Sequence, residues 1–361
     1  MLKQNANIFE SLGLPANPVF LAPLAGVSDA PFRIVCADRG ADLTYVEMLS
    51  AVALHYHSPK TFEMCFRHSR EHKLGVQLTA KNAEDMEKAI CVLNRFPFET
   101  VDINMGCPVR KVVGSGCGAA VTRDPENAHA ITKIAVANST KPVSVKFRLG
   151  WDHSSLNYLE VASALESAGA QWLTIHGRTR SDDYSREVDL EAIAAIKKQV
   201  RIPVLGNGNL FSQQDFHMMK KLTGVDGVMI SRGSLGNPWI FQEIRDGQSK
   251  LSLAAWQECL ADHIALQKEV YGDGTRALVM MRKHLLWYLK GWPGGKTYKD
   301  SLMQATDFAS AQGILDEFVN LLKSQDILFR SPTSLDSEAS RFYWNPNREM
   351  DREADAAVFE A

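Results

Sequence analysis

The sequence predicts an α/β fold, a (β/α)8 TIM barrel followed by a small C-terminal helical bundle domain. Three observations predict it. Eight short β-branched or apolar runs alternate with longer stretches of helical periodicity over the first two thirds of the 361 residues. Eight such units in about 240 residues are the size of a barrel of this kind. From about Leu253 the strand-like runs stop and only helical spacing remains. A doubly wound sheet would carry an early glycine fingerprint, and no G-x-G-x-x-G follows the first run.

In order, the runs that read as strands are Val19–Ala22, Leu43–Val46, Gly75–Leu78, Val101–Asn104, Val143–Arg148, Trp172–His176, Pro203–Gly206 and Gly227–Ile230. Helical stretches between them include Asn82–Asn94, Pro125–Asn138, Leu156–Ala168, Leu190–Val200 and Gln213–Leu222. Asn82, Asp124, Asp189 and Ser212 have side chains suited to N-caps, and Gly169 suits a C-terminal cap. Ala254–Tyr271, Arg276–Lys290, Tyr298–Ala309 and Ala311–Leu322 read as the bundle helices, interrupted by Gly-Trp-Pro-Gly-Gly at 291–295. The expected organisation is a lead-in (1–18), the barrel (19–245), the helical part (250–330) and a polar tail (331–361). That tail holds one aromatic island, Phe342-Tyr343-Trp344.

Composition narrows the class. A hydrophobic content of 45% with 23% charge is that of an ordinary globular protein. No run approaches the roughly 20 apolar residues of a membrane span, and the N-terminus lacks signal-peptide patterning. Six irregularly spaced cysteines suit a reducing, cytoplasmic compartment. A formal net charge of −2 does not announce a nucleic-acid binder, although a local basic surface suffices for one.

Barrel enzymes carry their chemistry at the C-terminal ends of the strands. Here those ends hold Ala-Pro-Leu-Ala-Gly (22–26), Glu47, Gln77, Asp-Ile-Asn-Met-Gly-Cys-Pro (102–108), Lys146 and Arg148, and His176-Gly177-Arg178. The last two strands lead into Gly206-Asn207-Gly208-Asn209 and Ser231-Arg232-Gly233. Strand alternation puts Asp102 with Asn104 on one face, and Lys146 with Arg148. An inward lysine needs an anionic ligand or a reactive role. Turns after strands seven and eight are the usual phosphate site of the fold, so a phosphorylated cofactor or substrate is expected. Cys107 stands at a strand end between a Gly and a Pro, where packing demands are least. Cys36, Cys65, Cys91 and Cys259 read as buried small hydrophobes. Cys117 reads as a small residue of the loop Gly114–Gly118, which lacks the Lys-Ser/Thr of a P-loop. His68 and His72 find no third ligand at metal spacing, so no metal is expected. With Arg67, Arg70 and Lys73 they read as a solvated basic segment.

The ordered motifs together resemble those of the tRNA-dihydrouridine synthases, most closely the bacterial B-type (NifR3-like) subgroup. They are Ala-Pro-Leu-Ala-Gly-Val-Ser-Asp (22–29), Val-Asp-Ile-Asn-Met-Gly-Cys-Pro (101–108), Lys-Phe-Arg-Leu-Gly-Trp (146–151), His-Gly-Arg-Thr-Arg (176–180), Asn-Pro-Trp-Ile-Phe (237–241) and Arg-Lys-His-Leu-Leu-Trp-Tyr-Leu (282–289). The resemblance implies FMN in the barrel, NADPH (or NADH) as transient reductant and reduction of the C5–C6 bond of specific uridines in tRNA. It implies that Pro23, Leu24 and Ala25 lie along the flavin and that Gln77 meets its pyrimidine edge. Lys146 would stabilise the anionic reduced flavin near N1. Asn207, Gly208, Asn209, Ser231 and Arg232 would bind the phosphate, with His176 nearby. Asn104 would help place the uracil, with Arg148 and Arg178 also on the substrate side.

Cys107 would deliver a proton to C5 after hydride reaches C6. A thiol of pKa about 8.5 is protonated at neutral pH and suits an acid rather than a nucleophile. In the helical part, Arg282, Lys283, His284, Lys290, Lys296 and Lys299 beside Trp287, Tyr288 and Trp292 suit phosphate contact plus base stacking. The target base must leave its stack to reach the site.

Two departures from the family pattern are Asn209, where an aspartate is common, and Ser231, where a glycine is common. No protein partner is inferable. Rival readings are a dihydroorotate-dehydrogenase-like reductase of a free pyrimidine, a Schiff-base aldolase using Lys146, and an idle RNA-binding barrel.

Overall fold

The computed structural model describes residues 8–247 and 250–330. The polar tail with its aromatic island, and residues 1–7 of the lead-in, lie outside the described residues. Eight parallel strands form the barrel: β1 (Val19–Leu21), β2 (Thr44–Tyr45), β3 (Leu74–Thr79), β4 (Thr100–Met105), β5 (Val143–Arg148), β6 (Leu173–His176), β7 (Val204–Asn207) and β8 (Gly227–Ile230). Neighbours in sequence are neighbours in the sheet, and β8 pairs back onto β1. The remaining gap, between β1 and β2, closes through a single bridge between Phe20 and Leu43. The Leu21 N–H donates to the Leu43 carbonyl at 2.9 Å there.

The second strand is shorter than its apolar run predicts. It stops at Tyr45, and a separate two-residue strand, Leu49–Ser50, resumes pairing with Leu78 and Thr79. Between the two pieces Glu47 leaves the ladder, and its carboxylate accepts the Gly26 N–H at 2.5 Å.

Alternation along the strands sorts the side chains. Val101, Ile103 and Met105 of β4, and Val143, Val145 and Phe147 of β5, join the core between sheet and helices. Asp102 and Asn104, and Ser144, Lys146 and Arg148, take the opposite, inward face. The floor of the barrel is filled by Phe9, Phe20, Tyr45, Trp172, Leu205 and Met229. Phe9 comes from a short helix, Ile8–Ser11, and packs edge-on against Phe20 at 6.0 Å, so the lead-in plugs the base. Gly75 is required where β3 passes Tyr45, because a Cβ there would lie 2.4 Å from the tyrosine ring.

The helices around the barrel are α1 (Ala30–Ala37), α2 (Ala83–Leu93), α3 (Pro125–Asn138), α4 (Tyr158–Ser167), α5 (Leu190–Gln199), α6 (Gln213–Thr223) and α7 (Ile240–Asp246). Asn82, Asp124, Asp189 and Ser212 each cap a helix by accepting backbone N–H bonds. Gly169 follows α4 at a φ of +95°. The bundle comprises α8 (Leu253–Tyr271), α9 (Thr275–Tyr288), α10 (Lys299–Gln304) and α11 (Phe308–Ser324) around Trp256, Leu285, Tyr288 and Phe318.

The helix expected over Tyr298–Ala309 is cut to α10. Asp307 and Ser310 form a capping box that starts α11 instead. Among the described residues no helix is long and apolar enough to cross a membrane.

Barrel and bundle share a tight seam. Gly236, at a φ of +68°, lies so close to α9 that a Cβ would sit 2.1 Å from the Trp287 carbonyl oxygen. Ile34 and Val35 of α1 belong to the bundle's apolar core. The segment read as a solvated basic face is part of this seam. Arg70 pairs with Asp262 at 3.0 Å and Asp38 at 2.8 Å, and His68 Nε2 lies 3.0 Å from Glu269. Asp262 lies 192 residues from Arg70 and Glu269 lies 201 from His68, which local composition does not reveal.

Candidate active site

A cavity of about 540 Å³ opens at the C-terminal ends of the strands. That is within the range of about 300–1,000 Å³ usual for cofactor sites. From the turn after β1 it receives Pro23, Leu24 and Ala25, and from the interior Gln77, Asn104, Lys146, Arg148 and His176. Cys107, Arg178, Asn207, Gly208, Asn209, Ser231, Arg232 and Lys283 also reach it. The sequence therefore brings together every expected site residue except His284.

The loop carrying Cys107 is held by a buried polar chain. Ser144 Oγ and Gln77 Nε2 donate to Asp102 at 2.6 and 2.7 Å. Gln77 Oε1 accepts from Asn104 Nδ2 at 2.8 Å. Asn104 Oδ1 in turn accepts the N–H groups of Gly106 (3.1 Å) and Cys107 (2.9 Å). Asn104, expected beside the substrate base, thus holds the Cys107 backbone while lining the cavity. From outside, Arg148 Nε donates to the Gly106 carbonyl at 2.8 Å, and the Ala119 N–H donates to the Cys107 carbonyl at 3.1 Å. Gly118 makes that second grip possible: at a φ of +59° any Cβ would fall 2.8 Å from the Cys107 oxygen. The glycine-rich loop Gly114–Gly118 wraps the cysteine loop.

Burial pushes the Cys107 thiol up, against a smaller pull from the Val109 N–H, Arg148 and Lys146. It is protonated at neutral pH. Burial and the neighbouring Arg148 lower Lys146 to about 8, with Asp102 and Cys107 opposing. Lys146 makes no hydrogen bond or ion pair among the described residues. Asp102, buried beneath it, is raised to about 6 by burial despite its two hydrogen bonds. His176 is held neutral by burial and by Arg148, Lys146, Arg178 and Arg232 around it. A wall with that many cations favours an anionic ligand.

At the far end, Asn207 Nδ2 ties β7 to β8 by donating to the Met229 carbonyl (2.7 Å) and Ser231 Oγ (3.2 Å). Gly208 and Asn209 follow at φ of +115° and +49°. The turn they form opens to the cavity beside Ser231 and Arg232, a backbone concavity of the kind that binds anions.

Two residues expected on the substrate side serve largely as braces. Arg178 is buried, donating to His176 Nε2 (3.1 Å), Asn209 Oδ1 (2.9 Å) and the Arg186 carbonyl (2.8 Å). Arg148 Nη1 is engaged by the Thr179 carbonyl at 2.7 Å. Lys283 comes from α9 to the cavity mouth, donating to the Gly26 carbonyl.

His284 is the correction. It is 1% exposed, packed at a tilt against Phe32 at 4.9 Å, and is not among the residues lining the cavity. The α9 sequence shows basic and aromatic residues but not which face the barrel covers. Sequence reasoning also missed Tyr184, which lines the cavity, stacks on His176 and lies 4.1 Å under the Arg232 guanidinium. Its position in the loop after the sixth strand was the available signal.

Residues 20–325 match the family model described as Dihydrouridine synthase (Dus). The chain belongs to the dihydrouridine synthase family. It is similar to tRNA-dihydrouridine synthase B of Pasteurella multocida, at 35% identity over 85% of this chain and 94% of that one. Probable tRNA-dihydrouridine synthase 1 of Synechocystis is 37% identical over 84% of this chain and 87% of its own. Among solved structures, histamine dehydrogenase from Rhizobium covers 69% of this chain and 49% of its own, at a TM-score of 0.50 and 12% identity. The 6-hydroxypseudooxynicotine amine oxidase of Pseudomonas geniculata covers 65% of this chain and 48% of its own, at 0.51 and 14%. These two share the barrel fold. In this dihydrouridine synthase, Cys107 lies in the matched region, on the cavity wall with Lys146.

Proposed function

We propose that this chain reduces specific uridines of tRNA to 5,6-dihydrouridine, with FMN in the barrel mouth, NADPH (or NADH) as reductant and Cys107 as proton donor. One observation carries the reading: an unpaired Lys146 and a protonated Cys107 share one cavity at the strand ends.

The cavity suits FMN at both ends. Lys146, with no hydrogen bond or ion pair among the described residues, offers a cation to an electron-rich ring. The turn at Gly208 and Asn209, with Arg232 alongside, suits a phosphate. Pro23, Leu24 and Ala25 would form an apolar edge for the ring, and Gln77, held by Asp102 and Asn104, would meet its pyrimidine edge. Bound FMN would supply hydride to uracil C6. Cys107 holds the proton for C5, and the Asn104 and Arg148 bonds fix where its Sγ stands. Arg148 and Arg178 brace the wall on the substrate side, and Lys283 stands at the mouth.

The bundle supports a macromolecular substrate. Lys283, Trp287 and Lys299 reach the mouth from outside the barrel, where a flipped base would enter with its flanking phosphates. A reductase of free pyrimidines needs no such rim. The six free cysteines suit a reducing cytoplasm.

The deciding experiment compares turnover on tRNA lacking dihydrouridine with turnover on free uridine. Turnover on tRNA alone is expected; equal turnover on both would overturn the tRNA reading. Flavin absorbance of the purified protein separates both from an aldolase using Lys146, which would be colourless.

A further inference from the structure

Barrel and bundle meet at a buried polar cluster that the reaction does not use. Asp29 precedes α1, and its Oδ1 accepts the Phe32 N–H at 3.1 Å, leaving Oδ2. His263 of α8 and His284 of α9 face it, both buried. One ligand atom from each of the three residues lies within 4.8 Å of the other two. The His263 ring is oriented by a 3.0 Å hydrogen bond between Nδ1 and the Tyr288 hydroxyl. The Nε2 atoms of His263 and His284 have no hydrogen-bond partner, although both are sealed from solvent. Phe32, 4.9 Å from the His284 ring, and Trp287, 5.2 Å from it, wall the site. An unpartnered buried imidazole nitrogen is costly, and two of them beside one carboxylate point to a ligand shared by all three.

We propose that Asp29, His263 and His284 bind one divalent transition metal ion, Zn²⁺ by preference, which clamps α8 and α9 of the bundle to the start of α1. Two imidazoles and a carboxylate are a recognised zinc donor set, with a water completing four-coordination. Zinc ligand atoms at 2.0–2.1 Å from the metal stand about 3.4 Å apart, so modest side-chain rotation brings these three into range. Tyr288 would play the part of the outer partner that fixes a ligating imidazole's tautomer and orientation. Of the two cations that act on Asp29, Arg33 is paired with Glu71 at 2.5 Å and Lys283 donates to the Gly26 carbonyl at the cavity mouth. The clamp has a consequence for the site already described, because Lys283 and Trp287 at the cavity mouth flank His284 on α9.

The test uses the full-length chain as purified, stripped with a chelator and titrated with Co²⁺ and then Zn²⁺. One equivalent of Co²⁺ with the visible d–d bands of a four-coordinate N/O site is expected, bleached by Zn²⁺, together with a higher melting temperature in Zn²⁺. Asp29→Asn should weaken Co²⁺ binding by more than the about 10- to 100-fold typical of losing a residue that only supports a ligand. No stoichiometric binding by the unaltered chain would overturn the proposal. Thiolate-to-metal charge-transfer bands would overturn it too, because the metal would then sit on cysteine. His284→Gln is a second variant; if it fails to fold, the titration of the unaltered chain still decides.

Discussion

Cys107 and Lys146 share a cavity but are displaced in opposite directions by the same cause. Burial disfavours the charged form of each, raising the thiol and lowering the ammonium to about 8. The thiol therefore stays protonated across the range in which the lysine titrates. Lys146 is charged below about 8 and loses its charge as pH rises through that value, well before an ordinary lysine would. Turnover on tRNA should accordingly fall on an alkaline limb centred near pH 8, and Lys146→Met should lower turnover and erase the limb. A limb that survives in Lys146→Met would assign it to another group. Asn104 acts through position. Asn104→Ala releases the Gly106 and Cys107 N–H groups, and a loop shift of about 1 Å costs roughly 100-fold in rate. Steady-state kinetics with an unchanged flavin spectrum would check this.

At the level of elements, the strands and most caps were legible because they obey local rules. Alternation in Val-Asp-Ile-Asn-Met separates core from mouth, and Asn82, Asp124, Asp189 and Ser212 each sit where a helix needs an acceptor. The elements that departed did so for non-local reasons. The second strand splits because Glu47 turns to the Gly26 backbone. The helix expected from Tyr298 ends early because Asp307 caps the next one. Tyr184 was passed over because its loop position after β6 gains meaning only when folded over Arg232 and His176. Gly75 belongs to the same class. Its alanine variant would drive a methyl group into the Tyr45 ring, and a loss of about 1–3 kcal/mol of stability is expected in urea unfolding.

Across the whole molecule, the seam between barrel and bundle is what sequence periodicity conveyed least. Arg70 with Asp262, His68 with Glu269 and the burial of His284 all join residues far apart in the chain. Gly236 tests the seam, since a side chain there meets the Trp287 backbone. Gly236→Ala should weaken tRNA binding more than flavin binding, read by tRNA titration and by flavin fluorescence, because the cavity is built chiefly from the barrel. Equal losses of both would mean that the seam also shapes the flavin site.

The central claim is that Cys107 supplies the proton for uridine reduction in tRNA. Dihydrouridine formed per unit time should be measured in unmodified tRNA with NADPH for the unaltered chain and for Cys107→Ala. A fall of about 100-fold or more, with flavin content and tRNA affinity retained, is the predicted result. Unchanged dihydrouridine formation by Cys107→Ala would contradict it.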